Sequence, residues 1–324
     1  MPLRRVEREP GARRQAKWFN SPVTCHKGTL KEIRSEIPDF ERRSFALTDK
    51  DRSRLNERLD TIVRRPFHDD PDFIPVGVVS KEYVLIPHKE VIDVAIKAFA
   101  EENIPPEEIN AEMVITEYGE RMALSLYLPN EFSFDPGDNN KLSLRLECFN
   151  SVDGSTRFRA LMGWFRFVCS NGLVIGVTRS DVRRRHFGDL SLQDVHAVLT
   201  SGIKESETER KNLVVWSKKD IDLDNLIPWI EENLKNTWGF KAAARTYHIA
   251  QTGHDANIDG PYKGHTPTTI PVSKMARIPG APQVSKNLFD ISQILAWLAK
   301  ERRDVQEQLQ WREQITDLLK PLMN

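Results

Sequence analysis

Near residue 190 the hydrophobic period of the chain changes from two to roughly 3.6, and that change sets the fold class. Upstream, MVITEY (113–118) and RMALSLYL (121–128) are β-rich runs separated by Gly119 and Glu120, which predicts a hairpin. FDPGDNNK then reads as a turn, and KLSLRLECFNSVDGSTRFRALMGWFRFVCSNGLVIGV as two or three more strands broken at Asp-Gly and Asn-Gly. The result is an antiparallel meander of roughly four or five strands. Downstream, LSLQDVHAVLTSGI places Leu192, Val195, Val198 and Leu199 on one helical face. DIDLDNLIPWIEENLKNTWGF, KAAARTYHIAQTG and the closing FDISQILAWLAKERRDVQEQLQWREQITDLLKPL read as further helices, the last polar in its second half. The predicted class is therefore α+β: an antiparallel sheet over 80–180, then a mainly helical half over 190–319.

Ahead of the sheet, residues 1–70 predict an arm that is partly disordered or loosely packed, with residues 71–324 forming a single domain. Within the arm, Leu55, Leu59 and Ile62 share one helical face, so residues 40–66 read as a polar segment with a short helix. The segment from Tyr83 predicts a short strand and then a helix with Val91, Val94, Ala95, Ala98 and Phe99 in the core. Residues 251–287, rich in Gly, Pro, Thr and His, predict a long loop. Hydrophobic residues at 39% and charged residues at 29% suit a water-facing globule, and neither a long apolar run nor a signal-peptide pattern is present. The expected location is the cytoplasm, without a membrane partner.

Formal net charge is zero, yet charge is unevenly spread. Residues 1–66 carry 17 Lys+Arg against 10 Asp+Glu, residues 101–140 one Arg against ten acids, and residues 155–190 seven Arg against two Asp. Such blocks suit a confined anion-binding site, or basic and acidic surfaces meeting within or between subunits. The three cysteines, Cys25, Cys148 and Cys169, form no CxxC pair, so neither a zinc knuckle nor a disulfide framework is indicated. No P-loop, dinucleotide fingerprint, GxSxG or HExxH occurs, and His254, Asp255 and His265 lack a metal-ligand frame. No cofactor and no metal are expected.

The stretch 151–176 concentrates the chemistry. As a strand, TRFRALMGWFRFVC is apolar on both faces and reads as central. Arg157 and Arg159 then lie near its exposed start, while Arg166 is partly buried and needs a carboxylate or phosphate; an internal ion pair is the favoured reading. Asn171-Gly172 supplies the positive φ of a tight hairpin, and Cys169 reads as a packed thiol. Downstream, Arg179, Arg183, Arg184 and Arg185 present guanidinium forks suited to phosphate, with Trp164, Phe165 and Phe187 near in sequence for base stacking. Pairing of those arginines with the acidic block is the equally weighted alternative.

Asp153, Gly154, Ser155, Arg166, Val168, Cys169, Asn171, Gly172 and Leu173 resemble the signature of the family called domain of unknown function nine-three-two, also labelled phage/plasmid-like protein. The resemblance covers roughly residues 80–310 and extends to the closing helix. It implies residence on mobile elements and supplies no activity.

The leading expectation is a mobile-element protein that is non-enzymatic and associates with nucleic acid in replication or recombination, with single-stranded DNA as ligand and self-assembly into a homo-oligomer. Its nucleic-acid contacts fall on Arg157, Arg159, Arg179, Arg183, Arg184, Arg185 and Trp164. The alternatives are an enzyme processing nucleic acid or nucleotides, with His254 or His265 and carboxylates in one pocket, and a protein-binding modulator of host defence.

Overall fold

Strict alternation in the middle of the chain builds the sheet on which everything else rests. A computed structural model describes residues 22–49, 52–156, 158–166, 173–184, 193–302 and 305–323. Its main sheet contains β1 (Val23–Thr29), β5 (Asn110–Thr116), β6 (Arg121–Tyr127), β8 (Leu142–Ser151), β9 (Phe158–Arg166) and β10 (Leu173–Arg184), hydrogen-bonded in that order and antiparallel throughout. The two-residue β7 (Ser133–Phe134) also pairs with β8, which makes seven strands. The expected meander is therefore present and larger than expected, and the chain has the α+β class.

One face of this sheet is apolar at every second residue: Met113 and Ile115, Met122 and Leu124, Leu144 and Leu146, Ala160 and Met162 are all buried. Fully burying such side chains contributes about 1.5–3 kcal/mol for each large one. The helices that cover them bring their own apolar stripes. These are α1 (Leu30–Ser35), α2 (His88–Glu101), α3 (Gln193–Lys218) and α7 (Leu288–Lys300), and they form one core with the sheet. Thr29 starts α1 with a capping box, its hydroxyl accepting from the Glu32 amide while the Glu32 carboxylate accepts from the Thr29 amide. In α3, Gly202 permits close approach, because a Cβ there would stand 2.5 Å from the Met162 sulfur. The short α4 (Leu223–Trp229) leads through a π turn at Ile230–Leu234 into α5 (Lys235–Trp238), and α6 (Phe240–Thr252) follows. In α2 the expected core residues Val91, Ala95, Ala98 and Phe99 are buried, and Val94 packs against the core.

Four expectations fail. The segment 40–66 contains no helix; it supplies β2 (Phe40–Asp49) and β3 (Arg52–Arg64), which with β4 (Ile74–Ser80) make a separate three-stranded antiparallel sheet. Cross-strand pairing outweighs the chance helical spacing of Leu55, Leu59 and Ile62. Nor are residues 23–64 a loose arm: β1 is an edge strand of the main sheet, and Ile62 packs with Val79, Tyr83 and Val152 in a second cluster. The expected loop 251–287 contains a hairpin of β11 (His254–Ile258) and β12 (Val272–Arg277). The closing helix divides into α7 and α8 (Val305–Leu319). The polar second half lies against the main sheet: Leu309 of α8 packs with Phe149 and Leu161 on its far face, and Arg312 is turned inward beside them.

Candidate functional site

The signature residues are structural wherever they are described. Asp153 sits in the β8–β9 turn, where its carboxylate accepts from Arg121 at 2.8 Å, from the Ser155 amide at 2.9 Å and from the Ser155 hydroxyl at 2.6 Å. The next residue, Gly154, has φ +76°, which a side chain resists. Arg166 is buried, more deeply than expected, and pairs with Asp138 while donating to the side-chain carbonyl of Gln293 at 3.1 Å. The acidic block thus supplies the partner of this arginine.

Two of the residues expected to touch nucleic acid are enclosed by protein, which corrects that part of the reading. Arg159 is 2% exposed and pairs with Glu313 of α8, so α8 closes what the sequence shows as an open strand start. Trp164 is also 2% exposed; its ring meets Phe134 edge-on at 4.8 Å and its indole N–H donates to the Ser206 carbonyl. Neither presents a surface to a ligand. Arg179, Arg183 and Arg184 fall on β10, with Arg183 opposite Arg159 and Arg184 opposite Phe158. Among the described residues β10 pairs only with β9, at one end of the sheet. Arg157, Cys169, Asn171, Gly172 and Arg185 lie outside the described residues.

The far face of the main sheet also carries a charge network that the sequence did not reveal. Glu147 is buried and accepts from Arg145 and, at 2.7 Å, from Arg312 of α8. Burial pushes its carboxyl up, but the Arg145 and Arg312 guanidiniums outweigh that and hold it below the usual carboxylate range. Arg145 in turn lies over the Phe165 ring at 4.2 Å. Each of these charges is answered within the protein, so this cluster fastens α8 to the sheet.

Exposed chemistry gathers instead on the three-stranded sheet. FERRSFALTDKDRSRLNERLDTIVRR (40–65) holds eight Lys+Arg against five Asp+Glu. Beyond its contact with β4, the β2–β3 pair continues as a two-stranded ribbon in which Ala46 faces Leu55, after a bulge at 56–59 whose Leu59 amide is held by the Asn56 side chain at 2.9 Å. Arg42 pairs with Asp60, Arg43 and Arg65 with Glu41, and Arg64 with Asp70. Arg54 and Arg58 are exposed and form no ion pair with a described residue. The same sheet and its approach carry Phe45 at 38% exposure, Leu55 at 63%, Phe73 at 44% and Val78 at 49%, four of the nine exposed large hydrophobic residues described. Register puts Arg43, Thr61 and Val78 on one outward face, and the Arg43 guanidinium lies over the Phe73 ring at 4.1 Å. Phe45, Leu55, Arg54 and Arg58 border a shallow hollow of about 430 Å³.

A deeper cleft of about 660 Å³ separates β1 from the β3–β4 connection. In it one oxygen of Glu36 lies 3.7 Å from the His26 Nδ1 and 3.6 Å from the His68 Nε2, with Arg64 and Asp70 alongside. His68 has φ +51°, unusual for a residue with a side chain. Among the described residues no three His, Cys, Asp or Glu are arranged to hold a metal ion. The pocket that the enzyme reading places in 251–287 is not assembled there: Asp255 is buried and accepts from the Nε and one terminal nitrogen of Arg245 at 2.8 and 2.6 Å and from the Trp297 indole.

Among the described residues these features define an α+β protein with three antiparallel sheets, of seven, three and two strands, a helical layer and an exposed basic ribbon. Residues 75–268, more than half of the chain, match the family described as Domain of unknown function (DUF932), and the chain belongs to that family. Over 64 residues it is 41% identical to the UPF0380 protein YfjQ of Escherichia coli (strain K12), a match covering 19% of this chain and 23% of that relative. The chain therefore spans under a quarter of the length of this curated relative. No solved structure matches it. No helix among the described residues is long and apolar enough to cross a membrane.

Proposed function

We propose that the protein is a nucleic-acid-associated factor without catalytic activity, serving replication or recombination of a mobile element in the cytoplasm. The observation that carries this reading is the β2–β3 ribbon. It leaves the Arg54 and Arg58 guanidiniums exposed, with no ion pair to a described residue, while most of its other described arginines are neutralised by neighbours. Exposed guanidinium groups that pair with no described carboxylate suit phosphate, and a basic groove of this kind can follow a nucleic-acid backbone. The β10 arginines, at one end of the other sheet, remain part of the proposed contact. Size-exclusion chromatography of the protein with and without a labelled oligonucleotide, at two salt concentrations, tests the reading. Co-elution that weakens with salt is expected; no shift with any oligonucleotide at low salt overturns it.

The cleft holding His26, Glu36 and His68 favours a second reading, an enzyme acting on nucleic acid or nucleotides, because two imidazoles and a carboxylate converge without hydrogen-bonding one another. Hydrolysis of a nucleotide or oligonucleotide that is lost in a folded His26→Ala, His68→Ala variant would establish it. The absence of turnover by the unaltered protein leaves the binding reading alone.

A further inference from the structure

We infer that the outward face of the β2–β3–β4 sheet is a stacking platform for unpaired bases, so that the ligand is a single strand and not a duplex; this rests on the nucleic-acid reading above. What matters is the nature of the exposed apolar groups. A site reading only the phosphates of a duplex needs cations and has no use for rings in water. Here Phe45 and Phe73 keep 38% and 44% of their surface exposed, although burying an aromatic side chain is strongly favourable. Phe73 already carries a planar cation, the Arg43 guanidinium 4.1 Å from its ring centre, and a guanidinium plane is itself a surface on which a base stacks. Thr61 of β3 and the exposed Val78 of β4 pair across the strands beside Arg43 and share its face. At its margin Arg54 and Arg58 supply the charge for a backbone.

Charge decides between this occupant and an apolar protein partner. Residues 40–65 hold a net excess of three cations, from eight Lys+Arg less five Asp+Glu, and the exposed Arg54 and Arg58 border the same hollow as Phe45 and Leu55. Rings interleaved with exposed cations are complementary to a polyanion whose bases are free.

The decisive probe is a pair of labelled oligonucleotides of equal length, one ordinary and one abasic, with fluorescence anisotropy at low salt. Both carry the same phosphates; only one has bases to stack. The unaltered protein is expected to bind the ordinary strand at least tenfold more tightly than the abasic strand and than the matching duplex. Phe45→Ala and Phe73→Ala are each expected to weaken the ordinary strand about tenfold and to leave the abasic strand unchanged. Phe73→Leu, which keeps apolar bulk without the ring, separates stacking from a folding defect: it is expected to lose affinity while its thermal melt matches that of the unaltered protein. Equal affinity for ordinary and abasic strands overturns the stacking platform and leaves the phosphate-binding reading standing. A preference for duplex overturns it equally, and no binding of any of the three overturns both.

Discussion

Replacing Glu147 by Gln removes one charge and almost no volume from the centre of the α8–sheet contact. In the native protein that carboxylate is 4% exposed and answers two guanidiniums, Arg145 and Arg312, the latter at 2.7 Å. The amide of Gln cannot neutralise them, and Arg312 is left without its carboxylate partner. Breaking a buried pair in this way costs about 3–5 kcal/mol, a large part of the ~5–15 kcal/mol that holds a typical domain together. Urea unfolding followed by tryptophan fluorescence at pH 7 reads the loss directly. Substituting Glu147, Arg145 and Arg312 together by Met is expected to recover most of it, because no charge is then left buried alone. The pH dependence has a definite sign. Since the Glu147 carboxyl is held below its ordinary value in the folded state, its contribution is full above the unfolded value of about 4.3 and is lost as pH falls through the lower, folded one. Stability of the unaltered protein should therefore fall more steeply on acidification than that of Glu147→Gln. A Glu147→Gln protein within about 0.5 kcal/mol of the original at pH 7, with the same acid profile, would refute the role assigned to the network.

Three further substitutions probe the packing around α2 and the sheet turns. His88 is fully buried, its Nε2–H donating to the Gly119 carbonyl at 2.9 Å and its Nδ1 accepting from the Asn150 amide at 2.9 Å; His88→Phe should cost about 1–3 kcal/mol in the same urea assay, and an unchanged midpoint would show these bonds to be dispensable. Gly119 has φ +79°, and a Cβ there would lie 2.5 Å from the Pro38 ring, so Gly119→Ala should destabilise the protein by more than ~1 kcal/mol in a thermal melt, while Gly137→Ala, at φ +113° with open space around it, should show backbone strain without a clash and a smaller loss; equal losses at the two positions would remove the clash from the account.

The sheet was legible because β5 and β6 alternate with period two and the runs that follow are apolar on both faces between turn residues, and the buried pairing of Arg166 followed from an arginine set among apolar neighbours. The ribbon was not. Leu55, Leu59 and Ile62 are spaced as on a helix, and the bulge at 56–59 disturbs the alternation that would have marked β3. Arg159 and Trp164 were misplaced for a related reason: a basic strand start looks open until a distant helix brings Glu313 onto it, and neither α8 nor the Ser206 carbonyl is visible from local pattern. The exposed face around Phe45 and Phe73 depends on the pairing of β2, β3 and β4, so no window of sequence contained it.

If the β2–β3 ribbon binds phosphate, its affinity for an oligonucleotide must depend on salt. Fluorescence anisotropy with a labelled single strand should show a linear fall of log affinity with log salt. Arg54→Ala, Arg58→Ala should flatten that slope by about 0.7 for each phosphate that is no longer neutralised, while the melting curve stays unchanged. A folded double variant with the original slope and affinity would place the nucleic acid elsewhere or nowhere on this protein.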